Sequence, residues 1–433
     1  MHSWARFSLW RMVVCCLPIV LLACAAAPAA AQEWTRFRGP NGSGQSEVEI
    51  PAKWSDADLN WKVELPGSGH SSPVLWGDKI FVTSADTQAS KRYLLCLSAA
   101  DGHEIWRKGF SYSTYHINDL NSFATSTPAV DAENVYVAWG SPEQSALYAF
   151  SHAGNEIWHC DLGPFISQHG FAASPIVYDD LVIIGNEQDG PDPEKGGNPN
   201  FGYDGKSFIW ALDRHTGKLR WKTPRKSTIV AYSVPCVYQP KDGKPELIFD
   251  SRSHGMSAID PASGNVDWEL PIFSRRAVGS PIIVAGLLLG ACGVGSGDNT
   301  LYAVRPDGES HNPQVVYKIE KAPAPYVPTP VAAGNLVFLF SDRGVVSCID
   351  GATGKTKWRH DHVATSFSGS PVRAADKIFC ASADGDMSVL AASDEYQLLA
   401  KNSLQELCRS TPAISGGRMY VRTISHLISV GGK

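Results

Sequence analysis

Two stretches of sequence decide the fold: Ala211-Leu212-Asp213-x-x-Thr216-Gly217-x-x-x-Trp221 and Ala258-Ile259-Asp260-x-x-Ser263-Gly264-x-x-x-Trp268. An Asp that ends a strand can accept bonds from turn amides. Thr or Ser does the same more weakly, and Gly takes the positive φ of a tight turn. Four residues after the Gly, the Trp falls on the next strand, where its ring can be buried between neighbouring sheets. Cys96 to Trp106 and Cys348 to Trp358 keep the spacing, and Ala149 to Trp158 is one residue shorter. These tryptophans, with Trp61, are read as architecture rather than as ligand contacts.

Outward from that hairpin, a second signal repeats. A Ser/Thr-Pro-apolar step occurs at Ser72-Pro73, Thr127-Pro128, Ser174-Pro175, Ser280-Pro281, Thr329-Pro330, Ser370-Pro371 and Thr411-Pro412, with Val234-Pro235 as a variant. The steps lie on average about 48 residues apart, the period of a blade-like unit. After each Pro comes a run that is apolar on both faces, such as Lys79-Ile80-Phe81-Val82, Leu181-Val182-Ile183-Ile184 or Leu336-Val337-Phe338-Leu339. A strand apolar on both faces belongs to a sheet covered on both sides, as each blade of a propeller is. The expected fold is therefore all-β, an eight-bladed propeller. Its last unit, Cys408 to Val430, ends without a Trp, and Leu59-Asn60-Trp61-Lys62-Val63 stands alone before the first Ser-Pro. The N-terminal strand is expected to complete that blade, so deleting residues 57–65 should harm the fold more than deleting 33–50.

The chain has 433 residues, 38 Lys and Arg, and 43 Asp and Glu, for a net charge of -5. Nucleic-acid binding needs a positive surface and is not expected. With 43% hydrophobic and 19% charged residues the chain can bury a core, and its 39 Gly, 28 Pro and 13 Trp suit a turn-rich β protein. Residues 1–31 read as a secretory signal: Arg6 and Arg11 flank an apolar run, and Ala29-Ala30-Ala31 precedes Gln32. Leu21-Leu22-Ala23-Cys24 offers a second reading, in which Cys24 is lipidated. Residues 32–56 form an N-terminal extension and residues 57–430 the propeller. No later segment is long and apolar enough to span a bilayer. The exported chain is expected to be a monomer, periplasmic or secreted. Its remaining cysteines lack C-x-x-C spacing, and several sit in strand-like runs as small hydrophobes.

Candidate site residues follow from the blade topology. The segments before each Ser/Thr-Pro step and the loops after each second strand share one face. The former bring His70, Asn121, His169, Tyr232, Arg276, Tyr326, Phe367 and Arg409. The latter bring Glu187, Asp189, Asp250, Arg252, His254, Asp298, Asp342, Arg343, Asp384 and Arg422. Of these, His70, His169, Glu187, Asp189, Asp250, Arg276, Asp342, Arg343 and Arg409 are the candidate binding residues. The loop between Ile184 and Ser207 is long, and Asp189, Asp192 and Glu194 lack the alternating ligand order of a calcium loop. No metal site is assigned. Walker, H-E-x-x-H and G-x-S-x-G motifs are absent, and Gly293-Val294-Gly295-Ser296-Gly297 is a turn.

The A-x-D-x-x-T-G-x-x-x-W unit resembles the tryptophan-docking repeat of the PQQ-type propellers, a family that includes quinoprotein alcohol dehydrogenases and the lipoprotein of the outer-membrane β-barrel assembly machinery. The resemblance covers about residues 54–430. Trp34-x-x-Phe37-Arg38-Gly39-Pro40-Asn41-Gly42 further resembles secreted bacterial PQQ-like propellers. For the dehydrogenases it implies PQQ with calcium, a vicinal disulfide against the quinone and an Asp base. The vicinal pair here, Cys15-Cys16, lies in the signal, so no catalytic or cofactor-binding residue is assigned. A fold shared with an enzyme is not a catalytic argument. The expected function is a non-catalytic binding or scaffolding module for a protein or cell-envelope partner, with a PQQ-dependent oxidoreductase as the alternative. Intact-mass analysis of exported protein should give a chain that begins at Gln32. A diacylated Cys24 at the N-terminus would replace that reading with a membrane-tethered protein.

Overall fold

Eight four-stranded antiparallel units follow one another along the chain, seven of them with their strands in sequence order, and one of these seven gains a short parallel fifth strand. The computed structural model describes residues 1–2, 33–190, 206–226, 229–306, 312–321 and 323–432. The signal, Cys15-Cys16, Cys24, Ala29-Ala30-Ala31, Asp192 and Glu194 lie outside the described residues. Blade 1 runs from Val74–Trp76 to Glu104–Ser111, and blade 7 from Val372–Ala374 to Leu398–Ser403. In blade 8, three C-terminal strands are completed by Leu59–Glu64, which pairs antiparallel with His426–Gly431. The ring is thus closed by the two ends of the chain, and no blade keeps an open edge at the seam.

The second strands are buried along their whole length, as in Asn134–Gly140 and Leu287–Cys292. The outermost strands alternate, as in Glu104–Ser111, because only one of their faces meets a neighbour. Apolar clusters fill the spaces between adjacent blades. Cys96, Cys236, Cys292, Cys348, Cys380 and Cys408 are buried there as free thiols, and burial pushes Cys96, Cys236 and Cys348 up to about 12.

The repeated hairpin has a simple register. Ala211 lies directly across from Trp221, Ala258 from Trp268, Cys96 from Trp106 and Cys348 from Trp358. A small side chain opposite the Trp leaves room for the indole to lean into the next blade. There Trp158 Nε1 donates to Arg214 O (2.9 Å) and Trp221 Nε1 to Pro261 O (2.8 Å). Trp61, Trp106 and Trp358 donate likewise to Ala99, His152 and Ser393. A Cβ on Gly217 would stand 2.6 Å from the Trp158 ring, so this glycine serves close approach as well as its φ of +68. Blade 5 has no Trp at this position. Tyr317, across from Ala303, takes its place and donates to Gly351 O at 2.8 Å.

Around the central axis the Ser/Thr-Pro steps form a chain of hydrogen bonds from blade to blade. The backbone N–H of Ser72 donates to Thr127 Oγ1 (3.0 Å) and that of Thr127 to Ser174 Oγ (3.0 Å). Val234 N–H donates to Ser280 Oγ (3.0 Å), Ser280 to Thr329 Oγ1 (2.9 Å), and Thr329 to Ser370 Oγ (2.9 Å). Ser370 donates to Thr411 Oγ1 (2.9 Å), and Thr411 returns to Ser72 Oγ at 3.1 Å. Val234 has no hydroxyl, so the ring opens between blades 3 and 4.

The segment read from sequence as an extension is built into this centre. Leu75 N–H donates to Trp34 O, Val130 N–H to Thr35 O, and Arg373 N–H to Gly44 O. Gln45–Ser46 pairs parallel with Arg373 and Ala374 of blade 7. Arg36 donates to Pro235 O, and Asn41 exchanges two bonds with Val237, at the place where the hydroxyl ring is open. Arg38, fully buried, donates to Pro371 O (2.7 Å), Pro330 O (2.7 Å), Thr329 O (3.2 Å) and Gly42 O (3.1 Å). Gly39, at φ +66, lies against the Trp34 ring, which a Cβ would meet at 2.6 Å.

Deleting 33–50 should therefore not be the milder change that the sequence led us to expect. Arg38→Ala would leave buried carbonyls of blades 6 and 7 without a donor and should cost about 3 kcal/mol. Calorimetry should show a lower Tm for Arg38→Ala and a near-parental Tm for the exposed Arg343→Ala. Equal melting of the two variants would refute a structural role for the arm.

Candidate functional site

Closing eight blades around an axis leaves a central cavity, here of about 940 Å³. Its floor is Phe37 of the N-terminal arm, together with the Ser/Thr ring, and its walls carry Val234, Val278 and Val327. Above these lie the segments that precede the Ser/Thr-Pro steps. They bring His70, Asn121, His169, Tyr232, Arg276, Tyr326 and Arg409 into the lining, and the loops after second strands add Asp189 and Arg252. This funnel runs from the arm and the Ser/Thr ring at one end to the loop face at the other. Its volume falls in the range of small-molecule sites.

One polar cluster organises the wall. Asp189 is buried, and its carboxylate accepts the backbone N–H groups of Gln168 (2.7 Å) and Val230 (2.8 Å). Arg276 Nη2 lies 3.7 Å from Asp189 Oδ1, and Arg276 Nη1 meets His169 Nε2. The hydroxyl of Tyr232 bonds to Ser167 Oγ (2.7 Å) and donates to Gly170 O (3.0 Å). Burial and the neighbouring Arg276 hold His169 down to about 4, and burial with Arg422 and Arg409 holds His70 down to about 3. Both imidazoles are neutral at pH 7. The charged groups in the lining are Asp189 against Arg252, Arg275, Arg276 and Arg409; Arg275 is paired with Asp298 (2.7 Å), and the other three still outnumber the acid, so a chain of net charge -5 carries a positive funnel.

Four other candidate residues do not line the funnel. Glu187 is buried in an ion pair with Arg225 (2.8 Å), between blades 3 and 4. Asp342 accepts the N–H groups of Tyr326 (2.9 Å) and Val327 (3.0 Å), fixing a wall segment from behind, and burial raises its pKa. Arg343 is exposed and donates to Ser296 O. Asp250 is buried against Gly290 of blade 5, where a Cβ would stand 2.4 Å from its Oδ2. Neither carboxyl oxygen of Asp250 has a hydrogen-bond partner among the described residues.

Residues after a second strand lean between blades as readily as toward the axis, and period-2 patterning alone does not distinguish the two. Phe37 was missed because it lies outside the repeats. The signal that marks it is the density of Trp, Phe, Arg and Gly in residues 34–42, unusual for a solvated extension.

The family described as outer membrane protein assembly factor BamB matches residues 53–196, 90–359 and 342–430. BamB from Moraxella catarrhalis superimposes with a TM-score of 0.56 at 15% identity, over 86% of this chain and 98% of that one. The quinohemoprotein alcohol dehydrogenase of Comamonas testosteroni gives a TM-score of 0.63 at 15% identity, over 93% of this chain and 81% of that one. At these identities the structures share the propeller fold. Tetrathionate hydrolase from Acidithiobacillus ferrooxidans is 24% identical over 240 residues, 52% of this chain and 42% of that protein. The chain thus matches less than half the length of that curated relative.

Burial holds the Asp250 carboxyl well above the ordinary value of 3.8, so the folded state keeps a proton that the unfolded chain releases. The stability that this proton carries is whole below the unfolded value and is lost as pH rises toward the folded one. Asp250→Asn has no such proton to lose. Its Tm relative to the parent should therefore rise between about pH 4 and pH 8 in thermal melts. A constant difference would show that Asp250 is ionised in the fold.

Proposed function

The chain belongs to the family of the outer membrane protein assembly factor BamB, and from that premise we propose that it is an exported, non-catalytic propeller that binds a protein or cell-envelope component through its loop face. The observation that carries this reading is the funnel itself. The arm fills the narrow end, and the wide end gathers Arg252, Arg275, Arg276 and Arg409 beside Asp189. Loops carried on a closed ring of sheets around a charged mouth form a surface suited to recognition. In the described residues no helix is long and apolar enough to cross a membrane. Placement in the periplasm or outside the cell rests on the leader-like residues 1–31.

The alternative, a PQQ-dependent oxidoreductase, meets a specific obstacle in the donor set. Calcium takes six to eight oxygen ligands, several from carboxylates. Asp189 is the carboxylate of the lining, and backbone N–H groups and Arg276 already engage it. Among the described residues no three His, Cys, Asp or Glu side chains converge. The funnel residues do not fit a calcium-held quinone.

The test joins both readings. A triple charge reversal at Arg276, Arg343 and Arg409 should abolish capture of the partner by cross-linked pull-down from the envelope fraction, with an unchanged circular dichroism spectrum. Lys355→Glu, in a turn on the opposite face, should leave capture intact. Stoichiometric PQQ binding with calcium-dependent dye reduction, lost in Asp189→Ala, would overturn the binding-protein reading.

A further inference from the structure

The lower half of the funnel is built from hydrogen-bond donors. Ser72, Thr127, Thr329, Ser370 and Thr411 line the cavity, and each hydroxyl oxygen accepts a backbone N–H from the preceding blade. That use of a lone pair leaves each O–H hydrogen to be donated, and none of these hydroxyls has an acceptor among the described residues. A hydroxyl presents both a donor and acceptors in isolation. The ring therefore presents a collar of donors to the cavity.

Above the collar stand guanidinium groups that the protein leaves partly unpaired. Arg276 Nε is buried without a partner, although Nη1 and Nη2 meet His169 and Asp189. Arg409, which precedes blade 8 as Arg276 precedes blade 5, lines the same cavity and makes no hydrogen bond or ion pair with a described residue. Apolar surface is supplied by Phe37 at the floor, by Val234 at the open ring position, and by Val278 and Val327. Unpaired buried donors cost free energy unless an acceptor arrives. The same donors leave no set of oxygen ligands for a metal ion.

We propose that the funnel binds a small organic acid with two or more anionic groups, held without a metal ion by Arg276 and Arg409 at the mouth and by the Ser/Thr collar at the floor. The carbon body would rest on Phe37 and the valines, Arg409 would take a carboxylate in paired hydrogen bonds, and Arg276, held by His169 and Asp189, would contribute chiefly its charge. The excess of arginine at the mouth of an acidic protein also draws anions toward the opening. This inference rests on the reading of the funnel as a binding site. It concerns the occupant of the cavity, whereas partner capture concerns the rim, so either can fail without the other.

Isothermal titration of the exported protein with benzene-1,3,5-tricarboxylate in EDTA tests it, with the neutral triamide as comparison. One saturable site is expected for the acid, with the triamide at least about tenfold weaker and the affinity of the acid falling as salt is raised. Arg409→Gln should weaken the acid about tenfold at unchanged Tm, and Arg409→Lys should recover part of the loss. Thr329→Val, which removes one collar donor and one ring acceptor, should weaken binding as well. If Arg276→Gln fails to fold, Arg409→Gln still decides. Equal binding of acid and triamide, binding abolished by EDTA, full affinity in Arg409→Gln, or no saturable heat with the acid would each overturn the proposal.

Discussion

The bond from a backbone N–H of one blade to the Ser or Thr hydroxyl of the next is the constraint on which the rest of the molecule depends. Each Ser/Thr-Pro step stands where an innermost strand begins, and the Pro has no N–H of its own and a fixed φ. The N–H before the Pro then needs an acceptor near the axis, where water is scarce. The neighbouring hydroxyl supplies it at 2.9 to 3.1 Å, from Val234 round to Ser72 and on to Ser174. The ring sets the spacing of the blades at their inner edge, and the docked tryptophans set it nearer the periphery. Between those two belts the buried second strands have little freedom to shift.

The place where this ring opens explains the arm. Val234 offers blade 3 no hydroxyl, and the innermost strand of blade 4 is where Arg36 and Asn41 attach. Arg38 does the corresponding work on blades 6 and 7, bonded to carbonyls rather than to a carboxylate. Burial lowers it to about 9, still a charged group at pH 7. A segment that enters the hub in this way also turns a channel into a funnel, because Phe37 becomes its floor. The site thus owes its single wide mouth to residues outside the repeat.

Much of this was legible in the sequence, and what was missed shares a physical cause. The Ala/Cys-to-Trp spacing encodes a direct cross-strand pair, so it revealed hairpins, while the recurrent Ser/Thr-Pro step revealed the number of blades. The split last blade was legible because Leu59–Glu64 has strand character and no partner of its own in sequence. His70, His169, Arg276 and Arg409 reach the funnel because they come immediately before the innermost strands, a position the repeat fixes. Glu187, Asp250 and Asp342 come after second strands, where the chain can turn toward the axis or sink between blades. Their fate depends on neighbours such as Arg225 and Gly290 in another sheet, which no local pattern specifies. Tyr317 escaped for a similar reason: a phenol reaches the carbonyl that an indole reaches elsewhere, but the motif was defined by the indole.

The electrostatics of the funnel separate recognition from acid–base chemistry. A general base near neutral pH requires a titratable group poised there. His169 is held down to about 4 by burial and Arg276, and His70 to about 3 by burial and two arginines. Asp189 spends its oxygens on backbone N–H groups and on Arg276. The positive charge of the cavity therefore does not depend on imidazole protonation above about pH 5. Below that, His169 and then His70 would add charge to a site already rich in arginine, in the same range in which a carboxylate ligand takes up protons and loses its own charge. A cavity arranged in this way keeps the sign of its charge and its fixed donors across the neutral range, because both come from arginines and hydroxyls rather than from imidazoles.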